Sequence, residues 1–275
     1  MPEYQRARSD MKQLLLALQF LTIIPLDVKG DLSEEEMSRS TIFFPAAGAL
    51  QGLLAVAVAY LFAKYLGVEV ATVMVLAALA LSNGGLHIDG LADTFDAIAV
   101  KADIYEAKTF AKRLSVMKDS ATGPIGVAAV VFIILLKFIL IKGLFLNLPR
   151  QIFYSFLFLM PVFSKWAMVP PMHHGVSARK DGLGRVFIQN IEPGANLLSL
   201  LLTALLSMSV FMLWLRNKYT FKGLILFVVI FAVLYLFGLV SAKYCRGKFG
   251  GLTGDNFGAI SEIAEIIFLM AVSAW

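Results

Sequence analysis

Asp89, Asp93 and Asp96 stand at i, i+4 and i+7 in the segment GGLHIDGLADTFD, residues 84–96. On a helix that spacing projects all three carboxylates from one face. Aspartates are hard oxygen ligands of the kind Mg²⁺ takes, usually through one or two carboxylates together with substrate phosphates. The segment closes an apolar run. One charge at the centre of a bilayer costs about 2.5–3.5 kcal/mol, so three neighbouring carboxylates beside a span call for a cation. His87 lies inside the motif, where substrate contact and a structural hydrogen bond weigh equally.

Three further polar islands carry chemistry. In GGLTGDNFGAISEIAE (250–265), Asp255, Glu262 and Glu265 fall at i, i+7 and i+10, again one helical face. Glu262 and Glu265 lie within an apolar helix, where an unpaired acid is expensive. RLSVMKDSATGPIG (113–126) sets Arg113 and Lys118 beside Asp119, with Ser120 and Thr122 ahead of a glycine-rich helix start. Hydroxyls, glycines and cations at a helix start suit a phosphate. HHGVSARKDGLGRVF (173–187) brings Arg179, Lys180, Asp181 and Arg185 into one loop. Simpler roles exist for some of these residues. Asp255 complements a helix dipole, Asp89 or Asp119 caps the helix that follows, and Lys180 serves membrane orientation. His173 and His174 lack the partners that a transition-metal site needs.

The elements that must position these residues are membrane helices. Hydrophobic residues make up 59% of the 275, charged residues only 16%, and mean hydropathy is +0.79. The apolar residues come in long blocks, the pattern of a polytopic α-helical membrane protein, and lack the alternation of a β-barrel. A single cysteine, Cys245, excludes an internal disulfide and a cysteine-rich metal site. No cleavable signal pattern is expected at the start. A short membrane-associated helix is expected over Lys12–Ile24. Seven spans follow, at about 41–65, 70–84, 123–141, 152–170, 196–215, 221–242 and 257–275, in one domain. A long polar loop covers 85–121, with a helix over 104–117. This topology puts sixteen Lys and Arg residues on one side and six on the other. The positive-inside rule makes the richer side cytoplasmic, and all four islands fall there. The basic balance (formal charge +5, pI about 9.2) needs no nucleic-acid partner.

These residues also carry a resemblance. The chain resembles the cobalamin synthase family, the adenosylcobinamide-GDP ribazoletransferases, through GGLHIDGLADTFDA (84–97), MKDSATGPIG (117–126), DGLG (181–184) and GLTGDNFGAISEIAE (251–265). QFLTIIP (19–25) and FFPAAGALQG (43–52) fit as well. Many members have arginine where Ile23 and Ala121 stand here. The resemblance implies a Mg²⁺-dependent transferase of the prokaryotic plasma membrane, multi-pass, with its active site towards the cytoplasm. Its substrates would be adenosylcobinamide-GDP and α-ribazole or the 5′-phosphate, with release of GMP; a homo-oligomer is compatible with the sequence.

On this reading Asp89, Asp93 and Asp96 bind Mg²⁺, and Asp255, Glu262 and Glu265 complete the metal shell. Asp96, Asp255 or Glu262 takes the hydroxyl proton. His87, Arg113, Lys118, Asp119, Ser120 and Arg185 contact substrate or phosphate. The alternatives are a CDP-alcohol-phosphotransferase-like enzyme of phospholipid synthesis and, from another class, a cation transporter. A transporter would place its acids at mid-depth on broken helices.

Overall fold

The computed structural model describes residues 3–26, 28, 32–212 and 220–275. It is an all-α bundle. The helices are α1 (Glu3–Leu21), α2 (Glu34–Arg39), α3 (Phe44–Ser82), α4 (Leu86–Ala99), α5 (Glu106–Val116) and α6 (Pro124–Asn147). After them come α7 (Arg150–Trp166), α8 (Val169–His174), α9 (Leu183–Gln189), α10 (Ala195–Met212), α11 (Thr220–Phe249) and α12 (Gly254–Ser273).

Six stretches among the described residues are long and apolar enough to cross a membrane. One of them holds two passes. Gly67, at φ 84°, breaks α3 where a side chain would be strained. The Gln51 amide donates to Ser82 Oγ (2.9 Å) and to the Leu21 carbonyl (3.2 Å). Residues 51 and 82 could not meet on a straight helix, so 44–66 and 68–82 form a hairpin. The seven expected spans are therefore present. Their limits shift by a few residues, and the fifth expected span ends at Leu215, outside the described residues. Arg6, Arg8, Lys29, Arg216 and Lys218, counted in the charge asymmetry, also have side chains outside the description.

Helix α7 is the centre of the bundle, buried on nearly every side. Gly48 and Gly52 of α3 lie against the backbone at Pro161–Val162 and Phe158, where a Cβ would clash. Small residues four apart let two membrane helices approach this closely. Phe156, Phe163, Phe227 and Phe268 fill the core between α7, α11 and α12.

The acidic motif is not the polar loop expected over 85–121. Gly84 and Gly85, both at positive φ, end the hairpin and start α4. Helix α4 then packs against α12 and α6, burying Gly90, Leu91, Ala92, Thr94 and Ala97. The chain reverses at Gly84–Gly85 and goes straight back into the bundle.

Candidate active site

Two glycines set the site. A Cβ on Gly90 would lie 2.6 Å from the Asp255 carbonyl oxygen, and one on Gly258 would lie 3.0 Å from the His87 Cα. Without these Cβ atoms α4 and α12 meet backbone to backbone, bringing Asp89 and Asp93 beside Asp255. The start of α12 is fixed by a capping box. The Thr253 hydroxyl accepts from the Asn256 N–H (3.3 Å), and the Asn256 side chain accepts from the Thr253 N–H (2.9 Å). The Asn256 amide also donates to the Thr94 hydroxyl of α4 (3.1 Å), locking the two helices in register.

The loop before α9 is joined to the loop before α12. Leu252 N–H donates to the Val176 carbonyl (2.7 Å) and Ala178 N–H to the Leu252 carbonyl (2.9 Å), around a Ser177–Leu252 bridge. Gly184 presses on the Gly254 backbone, where a Cβ would come within 2.7 Å of its nitrogen. These contacts carry Arg179 over Asp255, with Nη2 3.2 Å from Oδ2. In the sequence Arg179 is one of several loop cations, with nothing in the pattern to set it apart. Loop charges have no periodicity to reveal where they point, and the orientation rule already explains an arginine there. The one usable signal was Gly182 and Gly184 beside it, which mark a close backbone approach.

Two recesses flank the start of α4. A cavity of about 490 Å³ is lined by His87, Arg179, Asp181, Asp255 and apolar residues of α1 and α12. A more open one of about 770 Å³ runs past Gly85, Asp89, Ala92 and Thr122. His87 is 2% exposed, its Nδ1 pairs with the Asn83 amide (3.3 Å), and its buried Nε2 has no partner. Burial, with Lys165 and Lys137 beneath, holds the imidazole well below its usual range, so it is neutral. Asp93 is pushed up to about 7, first by burial and then by repulsion from Asp89, Asp255 and Asp96; Arg179 opposes the shift.

The other expected site residues are placed elsewhere. Both Asp96 oxygens accept backbone N–H groups at the start of α6, from Gly123 (2.6 Å) and Gly126 (2.8 Å). Asp96 therefore turns away from Asp89 and Asp93 to cap a helix. Glu262 and Glu265 lie two and three turns into α12, about 10 and 15 Å beyond Asp255. Lys137 Nζ sits 2.5 Å from Glu262 Oε2 and 2.6 Å from Glu265 Oε2. Lys165 lies 3.9 Å from Glu265 Oε1 and donates to the Ser164 and Ser261 hydroxyls. The two glutamates are thus at mid-depth, as a transporter would have them, but each is neutralised by a lysine.

Arg113 is buried and donates to the carbonyls of Lys248 (2.9 Å) and Val100 (3.3 Å), tying α5 to α11 and to the end of α4. Arg185 pairs with Glu34 and Gln189. Lys118, Asp119 and Ser120 are exposed, and Asp119 accepts from the Ala121 N–H (3.1 Å) in a local turn. The structure thus occupies Arg113 and Arg185 with protein partners.

Among the described residues no group of three or more His, Cys, Asp and Glu stands close enough to hold a metal ion by itself. The donor set still suits an open Mg²⁺ site. Mg²⁺ takes one or two carboxylates and completes its shell with water and substrate phosphates. Asp89 and Asp93 are one turn apart, and the repulsion felt by Asp93 is what a divalent cation relieves.

The class defined by this fold and site is an integral-membrane enzyme whose acidic residues and one cation meet at one end of the bundle. Residues 13–273 match the family described as Cobalamin-5-phosphate synthase, and the chain belongs to that family. A Thermodesulfovibrio yellowstonii protein named adenosylcobinamide-GDP ribazoletransferase is 34% identical over 261 residues, 94% of this chain and 95% of that one. Proteins of the same name from Clostridium novyi (32% over 263 residues) and Geotalea daltonii (34% over 264) cover 95% and 96% of this chain, and 96% and 98% of their own length. No solved structure matches the chain.

Proposed function

We infer that this chain is an adenosylcobinamide-GDP ribazoletransferase, joining adenosylcobinamide phosphate to α-ribazole, or its 5′-phosphate, with release of GMP. The observation that carries the reading is the contact of α4 with α12 at Gly90, which gathers Asp89, Asp93 and Asp255 between two recesses. A transfer between two substrates needs two binding regions that meet at one reactive point.

Asp89 and Asp93 would hold Mg²⁺, which when bound neutralises charge on the bridging phosphates. The protein's own groups do the rest. Of the three carboxylates expected to take the hydroxyl proton, Asp96 caps α6 and Glu262 pairs with Lys137. Asp255 borders the cavity and is the candidate base. Neutral His87, with an open Nε2, is suited to orient a substrate hydroxyl or base nitrogen there. The acidic face belongs on the cytoplasmic side, which the excess of Lys and Arg around it supports.

The test is GMP release by purified protein given adenosylcobinamide-GDP, α-ribazole and Mg²⁺. Asp89→Ala and Asp93→Ala should each lower turnover at least about a hundredfold, the order seen when one electrostatic stabiliser is removed. Full turnover in both would remove the aspartates from the chemistry, and no GMP release by the wild type would remove the function.

A further inference from the structure

We propose that Arg179 is the residue that receives the phosphates of the nucleotide substrate, and that Asp255 holds it in place while the site is free. The proposal rests on the transferase reading and names the phosphate-binding group of that same site. The sequence offered Arg113, Lys118 and Arg185 for this role. Arg113 donates to two backbone carbonyls, Arg185 is paired with Glu34, and Lys118 is on an exposed turn. Among the described residues that line the 490 Å³ cavity, Arg179 is the single Lys or Arg.

The guanidinium is set up to accept an anion. Nη2 lies within ion-pair distance of Asp255, yet neither Nη2 nor Nε makes a hydrogen bond, and both atoms are buried. A buried Nε without an acceptor, beside an Nη2 held only by an ion pair that makes no hydrogen bond, is costly in a folded protein. A phosphate satisfies both at once, because guanidinium and phosphate match in a fork of parallel hydrogen bonds. A second observation marks the same cavity as a ligand site: His87, almost wholly buried and on its wall, also has a ring nitrogen with no partner. The loop holding Arg179 is fastened to the loop before α12 at Val176–Ala178, so its position does not depend on the ion pair alone.

Asp255 then has a defined part. With no phosphate present it offsets the arginine's charge. Once a phosphate takes the guanidinium, the carboxylate is released towards the reacting hydroxyl. Binding the anionic substrate and freeing the candidate base become one event.

The experiment measures binding of GMP and of guanosine to the purified full chain in nanodiscs, with a chelator present. Wild type should prefer GMP. Arg179→Gln should weaken GMP binding about tenfold or more, the worth of a charged hydrogen bond, and leave guanosine unchanged. Arg179→Lys should fall between the two, and Asp255→Asn should bind GMP more tightly than wild type by freeing the arginine. A purely structural ion pair would lower thermal stability in both variants and leave the preference for GMP over guanosine untouched; that outcome overturns the proposal. If Arg179→Gln does not fold, Asp255→Asn decides on the unaltered arginine: GMP affinity no higher than wild type overturns it. Wild-type turnover without an effect of Arg179 refutes this proposal alone, whereas absent wild-type turnover refutes the transferase reading.

Discussion

Replacing Lys137 with Met removes the one ammonium that touches both Glu262 and Glu265. Its Nζ is 2.5 and 2.6 Å from their oxygens, and no side chain of the three is more than 7% exposed. The two carboxylates would then stand within about 5 Å of each other, their shared ammonium gone, on the wall of a cavity of about 480 Å³. Lys165 cannot replace the lost charge, because it is 3.9 Å from Glu265 and its hydrogen bonds go to Ser164 and Ser261. Removing one partner of a buried pair costs about 3–5 kcal/mol, since the remaining charge is uncompensated. For a chain of this length that corresponds to a fall of roughly 10 °C in the unfolding midpoint. The assay is thermal unfolding in detergent for wild type, Lys137→Met, and Lys137→Met combined with Glu262→Gln. The double variant leaves only Glu265, which keeps Lys165 and the Ser164 hydroxyl (3.2 Å), so at least half of the loss should return. A single variant within about 2 °C of wild type, or a double variant no better than the single, would refute the buried charge cluster.

Glu262→Gln alone leaves Lys137 paired with Glu265, and GMP release should stay within a few-fold of wild type. A hundredfold loss would return Glu262 to the chemistry. For Asp93, burial and its acidic neighbours lift the folded-state value to about 7, so the folded chain binds a proton that the unfolded chain releases near 4. Stability of the chelated protein therefore falls as pH rises from about 4 to 7 and levels off above. Asp93→Asn should flatten that slope, read as the difference between the two midpoints across pH. Asp96→Ala removes the cap on α6 and should lower stability by about 0.5–2 kcal/mol. Its activity loss should be far smaller than that of Asp89→Ala under saturating substrate and Mg²⁺; equal losses would put Asp96 back at the metal.

Hydropathy made the membrane class and its apolar passes legible, because bilayer thickness dictates the length of an apolar run. It also showed which acids share a helical face. What a face meets is a tertiary matter. Asp96 follows the helical period of Asp89 and Asp93, yet the start of α6 lies against it and takes its oxygens. Glu262 and Glu265 share a face of α12 with Asp255, but that face runs down to Lys137, whose position in the middle of an apolar run left its partner unread. Arg113 and Arg185 are bound by contacts across more than a hundred residues, which no local pattern encodes. Of the residues that meet where α4 crosses α12, the sequence motifs carry Asp89, Asp93, Asp255 and His87, whereas Arg179 stands in a loop with no such pattern.

The Gly67 hairpin has a consequence for depth. Its second arm, residues 68–82, spans only about 22 Å at 1.5 Å per residue, against a hydrocarbon core of about 30 Å. So short an arm obliges the bilayer to thin around it or its end to remain below the headgroups. Because α4 turns back into the bundle at once, such an arm would set its carboxylates low against the membrane surface, beside the open recess at Gly85 and Asp89. A bulky amphipathic reactant lying flat on the lipid would meet these groups from the side. It would not have to leave the interface to react.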